Sequence, residues 1–204
     1  MDLSFWRHHL EGDRILKEDK KVLKEDKKES EKKGFIHVKT GDGQGKTTSA
    51  LGMALRAVGH GLKVSMIQFM KGGDSRYGEI NSSKLLKNFE IKQFGRASFV
   101  NKKNPDKIDI EFAQEGLKYA KRVVESGEYD LLILDEINVA IDYGLLSVEE
   151  LLDVIEKKPE DLELVLTGRY APKEIIDISD YVSEILDIKH PFKEGVLARE
   201  GIEY

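Results

Sequence analysis

The sequence predicts an α/β fold: a mainly parallel sheet with helices on both faces, preceded by a helical arm. Three observations point to it. From Gly34 onward, short β-rich runs alternate with segments of helical periodicity, the order that builds strand–helix–strand crossovers. One run, Leu131-Leu132-Ile133-Leu134, is aliphatic throughout, as a buried strand is. A glycine-rich stretch, Gly41–Gly45, separates the first strand from the first helix. Right-handed crossovers bring the C-terminal ends of parallel strands to one edge, where open α/β sheets bind ligands.

Phe35–Lys39 is the first strand, and Thr47–Val58 follows as a helix with Leu51, Ala54, Leu55 and Val58 on one face. Lys63–Met70 reads as a strand, Glu79–Lys87 as a helix and Phe89–Phe94 as a strand. Ile108–Glu125 is a long helix and Tyr129–Leu134 the buried strand. Ser147 and Glu150 form a capping box that opens a helix to about Lys157. Leu162–Leu166 is the next strand, and Pro172 suits the first turn of a helix to about Ile178. Tyr181–Ile188 closes the series.

Composition bounds the function. The chain has 204 residues, 40% of them apolar, enough for one core. With 33 Lys+Arg against 38 Asp+Glu the net charge is −5, which excludes the broad basic surface of a duplex-binding protein. No cysteine is present, so disulfides, zinc ribbons and thiol catalysis are excluded. The aliphatic run at Leu131 is too short to span a bilayer, and Met1–Trp6 lacks the basic-then-apolar order of a signal peptide. A soluble cytoplasmic protein with no nucleic-acid or membrane partner is expected.

Residues 1–33 stand apart as a charged N-terminal arm, with the domain proper expected over 34–204. Nineteen of those 33 residues are charged. Within them Leu16-Lys17-Glu18-Asp19-Lys20-Lys21 recurs seven residues later as Leu23-Lys24-Glu25-Asp26-Lys27-Lys28, which sets Ile15, Leu16, Val22 and Leu23 on one helical stripe. The arm is either a solvated helix or an amphipathic cover for a ligand or second subunit, with Phe5 and Trp6 as its anchors.

The most informative segment is Thr40-Gly41-Asp42-Gly43-Gln44-Gly45-Lys46-Thr47-Thr48, between strand and helix. Its three glycines let backbone N–H groups converge on an anion, and the helix N-terminus adds its dipole. Lys46 supplies positive charge to the outer phosphates of a nucleotide, and the Thr47 hydroxyl is a Mg²⁺ ligand. The match to G-x-x-x-x-G-K-[ST] lacks its first glycine, because Thr40 stands there. The aliphatic strand ends in Asp135-Glu136, acids placed to hold Mg²⁺, often through water. Gln68 and Lys71 follow the second strand, and Thr167-Gly168-Arg169 the fifth; Arg169 is suited to phosphate charge. No Asn-Lys-x-Asp occurs, no Asp-x-x-Gly follows Asp135, and the five histidines show no metal-ligand spacing. The residues alone therefore specify an ATP- and Mg²⁺-dependent protein without naming what attacks the nucleotide.

Those residues resemble the P-loop type ATP:corrinoid adenosyltransferases, whose loop reads T-G-N-G-K-G-K-T-T. Further matches are Arg56-Ala57-Val58-Gly59-His60-Gly61, Gln68-Phe69-Met70-Lys71-Gly72, Leu134-Asp135-Glu136-Ile137-Asn138, Leu166-Thr167-Gly168-Arg169, Lys189-His190-Pro191-Phe192 and Gly201-Ile202-Glu203-Tyr204. The resemblance covers residues 34–204 and implies a P-loop NTPase (RecA-like) fold. It implies transfer of the 5′-deoxyadenosyl group of ATP to the cobalt of a Co(I) corrinoid with release of triphosphate. Lys46 and Arg169 are then catalytic. Gly41, Asp42, Gly43, Gln44, Gly45, Lys46, Thr47, Thr48, Gln68, Lys71 and Phe99 line the substrates, and Thr47, Asp135 and Glu136 hold Mg²⁺ or Mn²⁺. Where the family has a Gly-Phe-x-Trp segment whose aromatics displace the lower corrinoid ligand, this chain reads Gly95-Arg96-Ala97-Ser98-Phe99, leaving Phe99 as the one aromatic candidate. A reductase to supply electrons and a homodimer are implied as well. The alternatives are a P-loop kinase or ATPase releasing ADP, and an ATP-gated corrinoid carrier.

Overall fold

A computed structural model describes residues 33–73 and 77–204. The expected arm over residues 1–33 lies, apart from Lys33, outside the described residues. Six strands form one sheet: β1 (Ile36–Thr40), β2 (Val64–Phe69), β3 (Phe89–Phe94), β4 (Leu131–Asp135), β5 (Glu163–Thr167) and β6 (Tyr181–Glu184). Their order is β3-β2-β4-β5-β1-β6, and every pairing is parallel. Parallel neighbours require crossovers, which are supplied by α1 (Lys46–Gly59), α2 (Gly78–Ser83), α3 (Lys107–Ser126), α4 (Ile137–Asp142), α5 (Val148–Glu156) and α6 (Lys173–Ile178). No helix among the described residues is long and apolar enough to cross a membrane.

The two faces of the sheet carry separate cores because side chains alternate along each strand. Val64, Met66, Leu131, Ile133 and Val165 pack with Ala50 and Ala54 of α1. The opposite residues, among them Ile67, Phe69, Leu132, Leu134, Leu164 and Leu166, pack with Ala113, Leu117 and Ala120 of α3 and Leu151 and Val154 of α5. Each large aliphatic chain so buried contributes about 1.5–3 kcal/mol. On the α1 face the same alternation carries two residues further, to Gln68, Asp135 and Thr167, so these polar groups point towards α1 at the strand ends. All three are fully buried.

The helix ends follow local chemistry. Asp106 and Asp109 form a capping box on α3, which ends at Gly127 with φ 61°. The expected box on α5 is present: Glu150 N donates to Ser147 Oγ at 3.2 Å and Ser147 N to Glu150 Oε2 at 2.8 Å. Some expectations shift. The buried face of α1 is Lys46, Ala50 and Ala54, and Leu55 is 63% exposed. Two alanines one turn apart let the helix backbone close on the sheet, which rotates Leu55 away from it. The helix after β2 ends at Ser83 and β6 ends at Glu184, both short of their expected limits. Helix α4 and a 3₁₀ turn at Pro191–Glu194 carry too few residues for periodicity to reveal.

Candidate functional site

The glycine-rich loop runs from the end of β1 into α1. Gly45, immediately before the helix, has φ 114°, a value strained for any residue with a Cβ. A Cβ on Gly43 would come within 2.6 Å of the Leu186 carbonyl oxygen, and Gly43 N donates to Ile185 O at 2.7 Å. The segment after β6 thus braces the loop from behind. Lys46 folds back and donates to the carbonyls of Gly41 and Gly43, both at 2.7 Å. Burial holds its pKa below the ordinary lysine value, and Glu136 offsets part of that.

Beneath the loop lies a polar row crossing four strands at equivalent heights. Register pairs Gln93 with Gln68 and Gln68 with Asp135. Gln93 Nε2 donates to Gln68 Oε1 at 2.9 Å, and Gln68 Nε2 donates to Asp135 Oδ2 at 3.1 Å and to Glu79 Oε1 at 3.1 Å. Thr167 and Thr47 hydroxyls donate to Asp135 Oδ1 at 2.7 and 2.8 Å. Lys71 Nζ completes the set on Oδ2 at 2.8 Å. Asp135 therefore accepts from four side chains with no solvent exposure, as a buried carboxylate must to remain charged. Burial alone would depress the Lys71 pKa, but the Asp135 pair outweighs it and the net shift is upward.

Glu136, the adjacent residue, behaves oppositely. Its backbone is left-handed, φ 61°, a conformation that costs about 1–2 kcal/mol in a non-glycine residue, and its N–H donates to Thr167 Oγ1 at 3.0 Å. This turn aims the carboxylate into the cleft instead of under it. Burial, followed by the neighbouring Asp135 charge, pushes its pKa up. Thr47 and Glu136 face the cleft with hard oxygen donors of the kind Mg²⁺ takes. Both oxygens of Asp135 already accept hydrogen bonds, so the sequence's expectation of Asp135 as a direct ligand shifts to an indirect one. No group of three or more His, Cys, Asp or Glu suited to a metal occurs among the described residues.

The cleft above measures about 640 Å³ and is lined by Asp42 through Thr48, Lys71, Glu136, Arg169 and Phe99. A second lobe of about 700 Å³ shares Thr47, Thr48, Lys71 and Glu136 with it and continues past Leu51, Leu55 and Phe89 to the C-terminal Gly201–Tyr204. The loop, Lys71, Glu136, Arg169 and Phe99 are thus brought together, while Gln68 and Asp135 stand behind the wall. Arg169 reaches the loop itself, with Nη2 donating to Asp42 O at 3.2 Å and Nε 3.7 Å from Asp42 Oδ1. Phe99 is fully exposed, which removes it from the protein core.

Sequence reasoning missed the aromatic rim formed by Tyr77, Tyr143 and Tyr170. Lys102 Nζ lies 5.5 Å from the Tyr143 ring and 5.3 Å from the Tyr170 ring, and it pairs with Asp142 at 2.6 Å. These contacts tie the Phe99 loop to the ends of α4 and β5. Arg96 anchors the start of that loop by a fork on both oxygens of Asp109, at 2.7 and 2.6 Å. Among the described residues, the three non-glycine positions with positive φ, Met70, Glu136 and Tyr170, all line the cleft, where backbone strain commonly gathers.

The sequence model of the family described as ATP:corrinoid adenosyltransferase BtuR/CobO/CobP matches residues 32–204. The chain is 36% identical over 175 residues to the corrinoid adenosyltransferase of Escherichia coli K12, covering 85% of this chain and 87% of that one. It is 35% identical to the corrinoid adenosyltransferase CobA of Salmonella typhimurium, with the same coverage. An uncharacterised Nostoc protein is 37% identical over 182 residues, 83% of this chain, and the match spans about half (48%) of that longer protein. Among solved structures, the KaiC-like protein PH0186 of Pyrococcus horikoshii superposes with a TM-score of 0.51 at 19% identity, over 84% of this chain and 76% of that one; that likeness concerns the fold alone.

Proposed function

The chain belongs to the ATP:corrinoid adenosyltransferase family and adenosylates a corrinoid at the expense of ATP; we propose that the loop from Gly41 to Thr48 grips the triphosphate so that C5′ of the ribose faces the second substrate. The observation that supports this most directly is the coincidence of Lys46, Thr47 and Glu136 on one cleft directly above the buried Asp135. A Co(I) corrinoid donates an electron pair to C5′, a Co–C bond forms, the C5′–O bond breaks, and its electrons leave on the triphosphate. Co(I) is itself the nucleophile, so the protein needs no general base. Its work is positioning and electrostatic stabilisation of a polyanion.

Lys46 and the loop amides face the phosphates, and Arg169 joins them by exchanging its Asp42 contact for phosphate oxygen. Thr47 and Glu136 hold Mg²⁺ or Mn²⁺, with Asp135 acting through the Thr47 hydroxyl and water because its own oxygens are already taken. The cation supplies charge neutralisation for the leaving triphosphate. Gln68 and Lys71 serve the site by fixing Asp135. Phe99 and the tyrosine rim meet the corrinoid. The protein works as a cytoplasmic homodimer, and a reductase supplies the Co(I) state.

Reduced cobalamin, ATP and Mg²⁺ are expected to give a light-sensitive Co–C product with one triphosphate per turnover. ADP without alkylated corrinoid would instead indicate a kinase or ATPase, and binding without turnover a carrier. Phe99→Ala is expected to raise the corrinoid KM roughly tenfold, the scale of one lost aromatic contact, while the dissociation constant for ATP stays within experimental error. An unchanged corrinoid KM removes Phe99 from the site.

A further inference from the structure

Lys71 is the one cation buried against Asp135 among the described residues, and its position raises a question that the loop chemistry leaves open. Its ammonium lies 2.8 Å from Asp135 Oδ2, with its side chain 16% exposed and that of Asp135 wholly buried. Thr47, the hydroxyl best placed to ligate a divalent cation, is hydrogen-bonded to the other oxygen of the same carboxylate. Lys71 and Glu136 line both lobes of the cleft. The carboxylate that would draw a metal towards Thr47 is therefore already neutralised by a fixed positive charge.

We infer that Lys71 holds the divalent-cation site closed to free metal, so that the cation enters together with the triphosphate and not before it. This rests on the reading of Thr47 and Glu136 as the cation's protein ligands. Without nucleotide, a divalent ion beside Thr47 meets one uncompensated carboxylate, Glu136, and is repelled by the nearby ammonium of Lys71. Repulsion between like charges a few ångströms apart is large at the dielectric of a partly buried site. The triphosphate reverses the balance, because its oxygens complete the coordination shell and its charge outweighs that of Lys71. The arrangement keeps the loop from being occupied by metal alone and makes the metal–nucleotide complex the species that binds.

Lys71→Met removes the charge and preserves the length of the side chain. Thr47, Thr167 and Gln68 still donate to Asp135 in that variant, so the carboxylate keeps its hydrogen-bonded place. Mn²⁺ binding to the full chain, read by loss of the free-ion electron paramagnetic resonance signal, is the measurement. In the absence of nucleotide, Lys71→Met is expected to bind Mn²⁺ about tenfold or more tightly than the unmodified protein, and adding Glu136→Gln to it should abolish the gain. Lys71→Gln, which keeps a donor for Asp135, should behave as Lys71→Met does and decides the matter if the methionine variant fails to fold. Nucleotide-free Mn²⁺ affinity that stays the same or falls in the folded variants overturns the inference. If instead Glu136→Gln leaves Mn²⁺ binding in the presence of ATP unchanged, the assignment of the cation's ligands fails, and that result is separate from the first.

Discussion

Lys46→Ala is expected to lower the turnover number by about 10²-fold or more, the usual consequence of removing one fixed charge from a developing anion. That is about 2.7 kcal/mol of transition-state stabilisation. In the proposed reaction triphosphate departs as a polyanion, and Lys46 is the cation of the loop proposed to grip it. Its side chain is buried at the start of α1, and its ammonium is preorganised by the Gly41 and Gly43 carbonyls, so little reorganisation accompanies catalysis. The fold should survive, since the lost donor serves two loop carbonyls beside an open cleft, where water can take its place. Single-turnover rates with saturating ATP, compared with the melting temperature of the same variant, separate the two effects. A variant that melts normally and turns over normally removes Lys46 from the mechanism.

Asp135→Ala is expected to act on stability as well as activity. The substitution strands the Lys71 ammonium, the Thr47 and Thr167 hydroxyls and one donor of Gln68 around an apolar methyl group. Removing one partner of a buried pair costs about 3–5 kcal/mol, which lowers the melting temperature of a domain this size by roughly 10 °C. The companion experiment is Asp135→Ala with Lys71→Met. Deleting both charges leaves no orphaned ion, so the double variant should recover part of the loss, as coupled neighbours do. Strictly additive losses would show that the two residues do not form the unit described here. Activity should not return in either variant, because Thr47 loses the acceptor that orients its hydroxyl.

Much of this was legible in the chain. The Gly41–Thr48 segment declared its chemistry because a strand, a cluster of glycines and a Gly-Lys-Thr sequence are adjacent in the chain. The aliphatic run ending in Asp135-Glu136 announced a buried strand carrying acids to the functional edge, and the Ser147–Glu150 box was readable because capping is local. Helix α4 was not, since it begins one residue after a strand at a left-handed Glu136. The outward turn of Leu55 was likewise hidden, because a helix with apolar residues around most of its girth leaves the buried arc to whatever it packs on.

The sequence by itself determined the class of fold, the glycine-rich loop between β1 and α1, and the polar residues that the strand ends carry to one edge. Local interactions and the period-two pattern of strands decide those. Tertiary structure alone decided which of two adjacent acids is the buried hub and which faces the cleft. It also decided that Gln93, Gln68, Asp135 and Thr167 form a continuous row, and that Lys71 pairs with the buried Asp135. These depend on strand order and register, contacts between residues 25 to 88 positions apart, and no local rule encodes a partner that distant.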